Sequence, residues 1–159
     1  MKNLIKNRRH SLKAIFIPVI ITVILSLGCS NTPASDSLEW KTNVEAAVQI
    51  AKKENKAVLI NFTGSDWCKW CFKLNDEVFS QAEFEKYAAE NLVLVKLDFP
   101  RSVQQTNETK MYNQTLAQKY GIQGFPTILI MDNTGNLLAK TGYQPGGASN
   151  YVSYIQSLL

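Results

Sequence analysis

The 159-residue sequence predicts one α/β domain: a mixed four-stranded sheet with helices on both faces. Three observations carry that expectation. Three short runs, Ala57–Phe62 (AVLINF), Leu92–Leu97 (LVLVKL) and Thr127–Met131 (TILIM), are apolar and rich in β-branched residues, as buried strands require. The segments between them hold apolar residues at helical spacing. Asp132-Asn133-Thr134-Gly135 then makes a turn, with glycine where a positive φ is tolerated, so Asn136–Thr141 returns as a fourth, hairpin-paired strand. Strands joined through helices are expected to run parallel, and the pair joined by the tight turn antiparallel. The composition, 45% hydrophobic and 19% charged, is that of a globular chain long enough for one real core.

In chain order, residues 39–55 read as a helix whose buried face is Trp40, Val44, Ala47, Val48 and Ala51. Gly64-Ser65-Asp66 breaks the first strand. Helical stretches follow at about Cys68–Asn75 and Gln81–Glu90, before the second strand. Residues 100–110 are polar and loop-like, and residues 111–120 form a helix stopped by Gly121. Gly142, Pro145, Gly146 and Gly147 end the fourth strand. Ser149 is a candidate cap for a closing helix with Val152, Ile155, Leu158 and Leu159 on its apolar face.

Ahead of this domain, residues 1–29 read as an address. Lys2, Lys6, Arg8, Arg9 and Lys13 precede the uncharged run AIFIPVIITVILSL, and Gly28-Cys29 follows. A basic start, a short apolar stretch and a small residue before a break describe a secretory signal. The run is short for a spanning helix, which takes roughly 20 apolar residues, and it holds Pro18. Ser26-Leu27-Gly28-Cys29 resembles a bacterial lipobox, which implies lipidation of Cys29 and a membrane anchor, although Ser26 stands where leucine is usual. Residues 30–37 (SNTPASDS) are a small, polar tether, and the folded domain spans 38–159. The expected location is outside the cytoplasm, on the periplasmic side of a bacterial membrane.

The leader also distorts the charge. The formal net charge is +4, but removing those five residues leaves 12 basic residues against 13 acidic ones. The body is therefore near neutral, and its pI is no argument for nucleic-acid binding. The single histidine, His10, lies in the leader, so a mechanism needing a histidine base in the body is excluded.

Trp67-Cys68-Lys69-Trp70-Cys71 carries the chemistry. It follows a buried strand and opens a helix. Cysteines three apart on a first helical turn are close enough to form a disulfide. The first sits where free N–H groups and the helix dipole favour an anion, and therefore the nucleophilic thiolate. The second, one turn deeper, is expected to be the more buried and able to resolve a mixed disulfide. Zinc and iron–sulfur sites want about four ligands, and the body has two cysteines and no histidine. A c-type haem attachment needs histidine where Phe72 stands. A purely structural disulfide closing so small a loop removes little chain entropy. Copper(I) delivery by the two thiols has no Met-rich or His-rich tract behind it.

With that motif, Tyr120–Thr127 (YGIQGFPT) and the closing Gly135–Gly142 hairpin, the chain resembles the thioredoxin superfamily over about residues 38–159. The resemblance implies a thioredoxin-like fold and an exported thiol–disulfide oxidoreductase. Cys68 and Cys71 would be catalytic, with no cofactor beyond that pair and no metal. It implies a cis-proline at Pro126 facing the cysteines, and pairing of the Phe125 backbone with an extended substrate segment. Trp67 matches a position packed beside the nucleophile. Trp70, between the cysteines, is expected to be exposed to substrate. The implied partners are disulfide-bearing proteins and a membrane thiol donor.

The sequence departs from the family in two places. Asn61 stands where the family commonly has a buried acid, so water, Lys96 or Asp66 would have to assist the resolving thiol's proton. Lys69-Trp70 lies between the cysteines, where Lys69 favours a Cys68 thiolate. A reductase is preferred to an oxidase because the domain has no room for a large helical insertion. The alternative is a lipid-anchored binding or chaperone module that keeps the fold without redox turnover.

Overall fold

The computed structural model describes residues 38–159; the expected signal segment 1–29, with Cys29, and the tether 30–37 lie outside the described residues. In order, the elements are β1 (Trp40–Lys41), α1 (Val44–Glu54), β2 (Ala57–Thr63), α2 (Lys69–Leu74), a π-helical turn (Asn75–Phe79), α3 (Ala82–Asn91), β3 (Leu92–Asp98), α4 (Asn107–Lys119), β4 (Thr127–Met131), β5 (Leu137–Thr141) and α5 (Gly147–Gln156).

The α/β architecture is the expected one, with a fifth strand added at the edge. The sheet order is β1-β3-β2-β4-β5. Trp40, assigned from its spacing to the first helix, instead pairs with Leu94 of β3 and packs on Phe79 with ring centroids 5.2 Å apart. The helix begins only at Val44, where Asn43 caps it by accepting the Ala46 N–H.

Strands β1, β3 and β2 are parallel, while β4 runs antiparallel to β2 and β5 antiparallel to β4. The expectation that every helical connection joins parallel strands therefore fails between β3 and β4. A crossover makes strands parallel only when it returns the chain to the end of the sheet where the first strand began. Here Asp98 at the end of β3 pairs with Thr63, and Thr127 at the start of β4 pairs with Phe62. The connection leaves and re-enters at one end of the sheet, so direction reverses.

Two apolar layers hold the helices to the sheet. On one face Leu74, Phe79, Phe84, Tyr151 and Ile155 pack on Leu59, Leu94, Ile128 and Ile130. On the other Val44, Ala47, Ala51 and Leu116 cover Val58, Ile60, Phe62, Val95 and Leu129. The alternation along β2 sends Leu59 to the first layer and Ile60 and Phe62 to the second, so Asn61 and Thr63 face α2 and its neighbours. Helix α5 is capped by Gly146, at φ 109°, rather than by Ser149, whose hydroxyl donates to Glu83 of α3. A left-handed φ at this tight re-entry favours glycine.

Candidate active site at the mouth of the second helix

The core strand β2 ends at Thr63, and the chain turns through Gly64–Trp67 into α2. Cys68 is the N-cap of that helix, with extended backbone at φ −86° and ψ 102°. Its Sγ accepts the Cys71 N–H at 3.2 Å, a donor it shares with the Cys68 carbonyl oxygen at 3.0 Å. Cys68 and Cys71 are joined as a disulfide across the first turn, with Cα atoms 5.2 Å apart. The expected contrast in burial is not there: the two residues are 5% and 6% exposed. Joining the sulfurs draws both against the helix end and covers them equally.

Trp67 is fixed on several sides. Its indole N–H donates to the Phe99 carbonyl oxygen at 2.8 Å. Its ring meets Phe125 edge-on at 5.8 Å, and Phe125 lies 5.0 Å from Phe99. Phe99 stacks on Phe62, so aromatic contact runs from the core strand to the residue before Cys68. The Arg101 guanidinium lies 3.8 Å from the Trp67 ring centroid. Gly64 is what lets the indole in: a Cβ there would meet ring atoms of Trp67 at 2.6 Å. The Phe125–Pro126 peptide is cis, and Phe125 and Pro126 are both half-buried. Through Phe125 this loop reaches Trp67, and on its other side Gly142 lies so close that a Cβ there would be 3.1 Å from the Pro126 carbonyl oxygen.

Asp66 is tied into the loop after β3. Its carboxylate accepts the backbone N–H groups of Arg101, Ser102 and Val103, at 2.9, 2.6 and 3.2 Å. The Arg101 and Ser102 amides hold its pKa below the usual carboxylate range. Asp98 makes a second tie, accepting from the Ser65 N–H and hydroxyl at 2.9 and 2.5 Å. The two acids and the indole thus pin the loop before α2 to the loop after β3.

Asn61 is 7% exposed, and its Oδ1 is buried with no hydrogen-bond partner among the described residues. It pairs in register with Lys96 of β3 and Ile128 of β4. Lys96 itself is exposed, as is Lys69.

On the α2 side of the disulfide, Trp70 is 56% exposed and lies 5.3 Å from Tyr143. Lys73 Nζ sits 5.4 Å and 5.2 Å from those two ring centroids and 3.6 Å from Glu77. The Tyr143 hydroxyl donates to Glu77 at 2.5 Å. The hydrogen bond with Tyr143 and the Glu77 charge hold the Lys73 ammonium pKa above its ordinary value. Sequence reasoning did not reach Arg101, Tyr143, Lys73 or Glu77. Of these only Tyr143 carried a local signal, its place beside Gly142 at the end of the hairpin. Among the described residues no group of His, Cys, Asp and Glu side chains is placed to hold a metal.

A family profile described as a thioredoxin-like domain matches residues 44–153. The chain is 38% identical over 126 residues to the disulfide bond reductase DsbH of Chlamydia pneumoniae, covering 79% of this chain and 75% of that protein. It is 28% identical over 140 residues to the thioredoxin-related protein DsbJ of the same organism, covering 85% of this chain but 40% of that longer protein. A solved DsbH oxidoreductase structure superposes with a TM-score of 0.74 at 36% identity, over 84% of this chain and 92% of that one. With a disulfide across the first turn of the helix that follows the central strand, the chain belongs to the thioredoxin superfamily, among its thiol–disulfide oxidoreductases.

Proposed function

We propose that the protein is a disulfide reductase working outside the cytoplasm, held to a bacterial membrane through lipid on Cys29. The observation that carries the redox reading is the Cys68–Cys71 disulfide at the helix mouth, with the Cys71 N–H already aimed at Cys68 Sγ. The name and likeness of the reductase DsbH favour the reducing direction. Among the described residues no helix is long and apolar enough to cross a membrane, so attachment in this reading falls to the leader.

In the reduced protein, Cys68 attacks one sulfur of a substrate disulfide as the thiolate. That S–S bond breaks, a Cys68–substrate disulfide forms, and the departing substrate sulfur takes a proton. Cys71, deprotonated, then attacks Cys68 Sγ, and the second substrate sulfur leaves and is protonated. The substrate gains two electrons and two protons; the cysteine pair loses them and is restored by an external dithiol, in the cell a membrane thiol donor. Trp67, Phe125 and Pro126 form one wall of the substrate groove and Trp70 the other, with the Phe125 backbone adding to an extended substrate segment. Lys69 favours the Cys68 thiolate. Asp66 is a poor acceptor for the Cys71 proton because backbone amides stabilise its ionised form; water entering over Asn61 and Lys96 takes it instead.

The test is reduction of insulin disulfides with dithiothreitol as donor. Full-length protein should turn over, Cys68→Ser should abolish turnover with the fold intact, and Cys71→Ser should accumulate mixed disulfides. The unpartnered Asn61, in place of an acid, favours the other reading, a binding or chaperone module on the same fold. Turnover indifferent to both cysteine variants would select it.

A further inference from the structure

We infer that Arg101 is a specificity-determining residue that recognises a carboxylate beside the substrate's disulfide, so that the preferred substrates are acidic peptide segments. The inference rests on the oxidoreductase reading and adds the chemistry of the partner.

Arg101 is built into the site from both ends of the residue. Its backbone N–H is held by both Asp66 carboxylate oxygens, at 2.9 and 3.1 Å. Its guanidinium lies 3.8 Å from the centroid of the Trp67 ring, the residue that leads into Cys68. The side chain is exposed and makes neither an ion pair nor a hydrogen bond among the described residues. A guanidinium carries five donors in a rigid plane and accepts nothing, and that fork matches a carboxylate in two parallel hydrogen bonds. Ordering a long side chain normally costs rotamer entropy at the moment of binding. Here the indole face has already restricted it, so less is lost when a partner arrives.

The surrounding acids do not answer this charge. Asp66 is occupied by three backbone amides, Asp98 by Ser65, and Glu77 by Lys73 and Tyr143. Lys69, between the two cysteines, is likewise exposed and outside every ion pair of the described residues. Two cations without an ion-pair partner among the described residues therefore stand in the segments that carry the site, Lys69 between the cysteines and Arg101 over the indole that precedes Cys68, within a body that is otherwise near neutral. The missing half of the pair is an anion, and in the orientation that sets a substrate cysteine against Cys68 it is a side chain near that cysteine. The same arrangement would slow a substrate segment rich in lysine or arginine.

The test uses three peptide disulfides of one length, with Asp, Asn or Lys beside the reacting cysteine, reduced by the full-length protein with dithiothreitol as donor. Wild type should favour the Asp peptide over the Asn peptide in kcat/KM by about fivefold at low salt, and 0.5 M NaCl should erase most of that ratio. Arg101→Gln should bring the ratio to about one, with a clearly larger loss in kcat/KM on the Asp peptide than on the Asn peptide. Arg101→Lys should keep part of the preference, and Arg101→Glu should turn it toward the Lys peptide. An Asp-to-Asn ratio of one in wild type, or an equal loss on all three peptides in Arg101→Gln, overturns the assignment and reduces Arg101 to a cover for the indole. Turnover of the Asn peptide by wild type reads the oxidoreductase activity itself, so loss of the ratio alone sinks only the role of Arg101. Absence of turnover on every peptide sinks both.

Discussion

The Trp67 indole N–H donates to the carbonyl oxygen of Phe99 at 2.8 Å, tying the residue before Cys68 to the end of the strand beside β2. Position at the helix mouth is thereby set by a contact across the sheet rather than by the motif alone. A cysteine at an N-cap gains its chemistry from where the free amides point. Whatever shifts Trp67 shifts that geometry.

Gly64→Ala tests this dependence. The new methyl would meet indole atoms at 2.6 Å, with the ring already held by Phe99, Phe125 and Arg101. Overpacking of this kind costs about 1–3 kcal/mol. Denaturant unfolding should show that loss, and insulin reduction by the folded variant should slow by more than the loss of stability explains. Unfolding and turnover both matching wild type would mean the indole tolerates displacement.

Asp66 gives the site a dependence on pH through the loop after β3. Its folded pKa is depressed by the Arg101 and Ser102 amides, so ionised Asp66 stabilises the native state above the unfolded-state value. That contribution is lost as pH falls through the depressed folded pKa, a window lying below the ordinary carboxylate value. Asp66→Asn should lower the melting temperature near neutral pH and converge on wild type in strong acid. Parallel melting curves across that range would remove the linkage.

The aromatic pair on the other side of the disulfide predicts a separation of binding from chemistry. Trp70 is exposed, and the Tyr143 hydroxyl holds Glu77, which in turn meets Lys73. Truncating an interface anchor costs more than about 1 kcal/mol, roughly fivefold in kcat/KM. Trp70→Ala should lose that on protein disulfides through KM and leave a small neutral disulfide unaffected. Tyr143→Phe keeps the ring and should have a weaker effect. A fall in kcat shared by large and small disulfides would place Trp70 in the chemical step instead.

Much of this was legible locally. The runs at residues 57–62, 92–97 and 127–131 are so continuously apolar that only burial on both faces keeps them from water, and they are strands β2, β3 and β4. Cys68 and Cys71 stood out because redox pairing needs short spacing along the chain. What escaped depends on distance in sequence. Asp66 finds its amide partners 35 to 37 residues away, and no local pattern distinguishes an acid that backbone amides will occupy from one free to accept a proton. Trp40 fits helical spacing with Val44 and Ala47, yet pairing with Leu94 holds it extended. The π-helical turn at Asn75–Phe79, closed by the Ser80 N–H on the Asn75 carbonyl, has no side-chain periodicity of its own to read.

Asn61 lies buried on β2 and carries a side chain that cannot titrate. Its Oδ1 has no partner among the described residues, and it shares the sheet face that α2 covers. Asn61→Asp would put a carboxyl of nearly the same shape there. Burial disfavours the charged form, so its folded pKa should rise above the ordinary value. An acid raised in this way binds its proton more tightly in the folded state, so stability should fall as pH climbs from the unfolded-state pKa to the folded one. Each tenfold tightening of proton binding costs about 1.4 kcal/mol on the alkaline side of that window. The compensation should be kinetic: once ionised, the carboxylate can take the resolving thiol's proton, and turnover should gain a new ionisation above the usual carboxylate range. Asn61→Leu removes the unmet acceptor and should not lose stability by the same route, since replacing an unpaired polar group with an apolar one of similar size is near neutral. Matching pH–rate profiles for Asn61→Asp and wild type, with stability also indifferent to pH, would show that water already supplies all that this position could contribute.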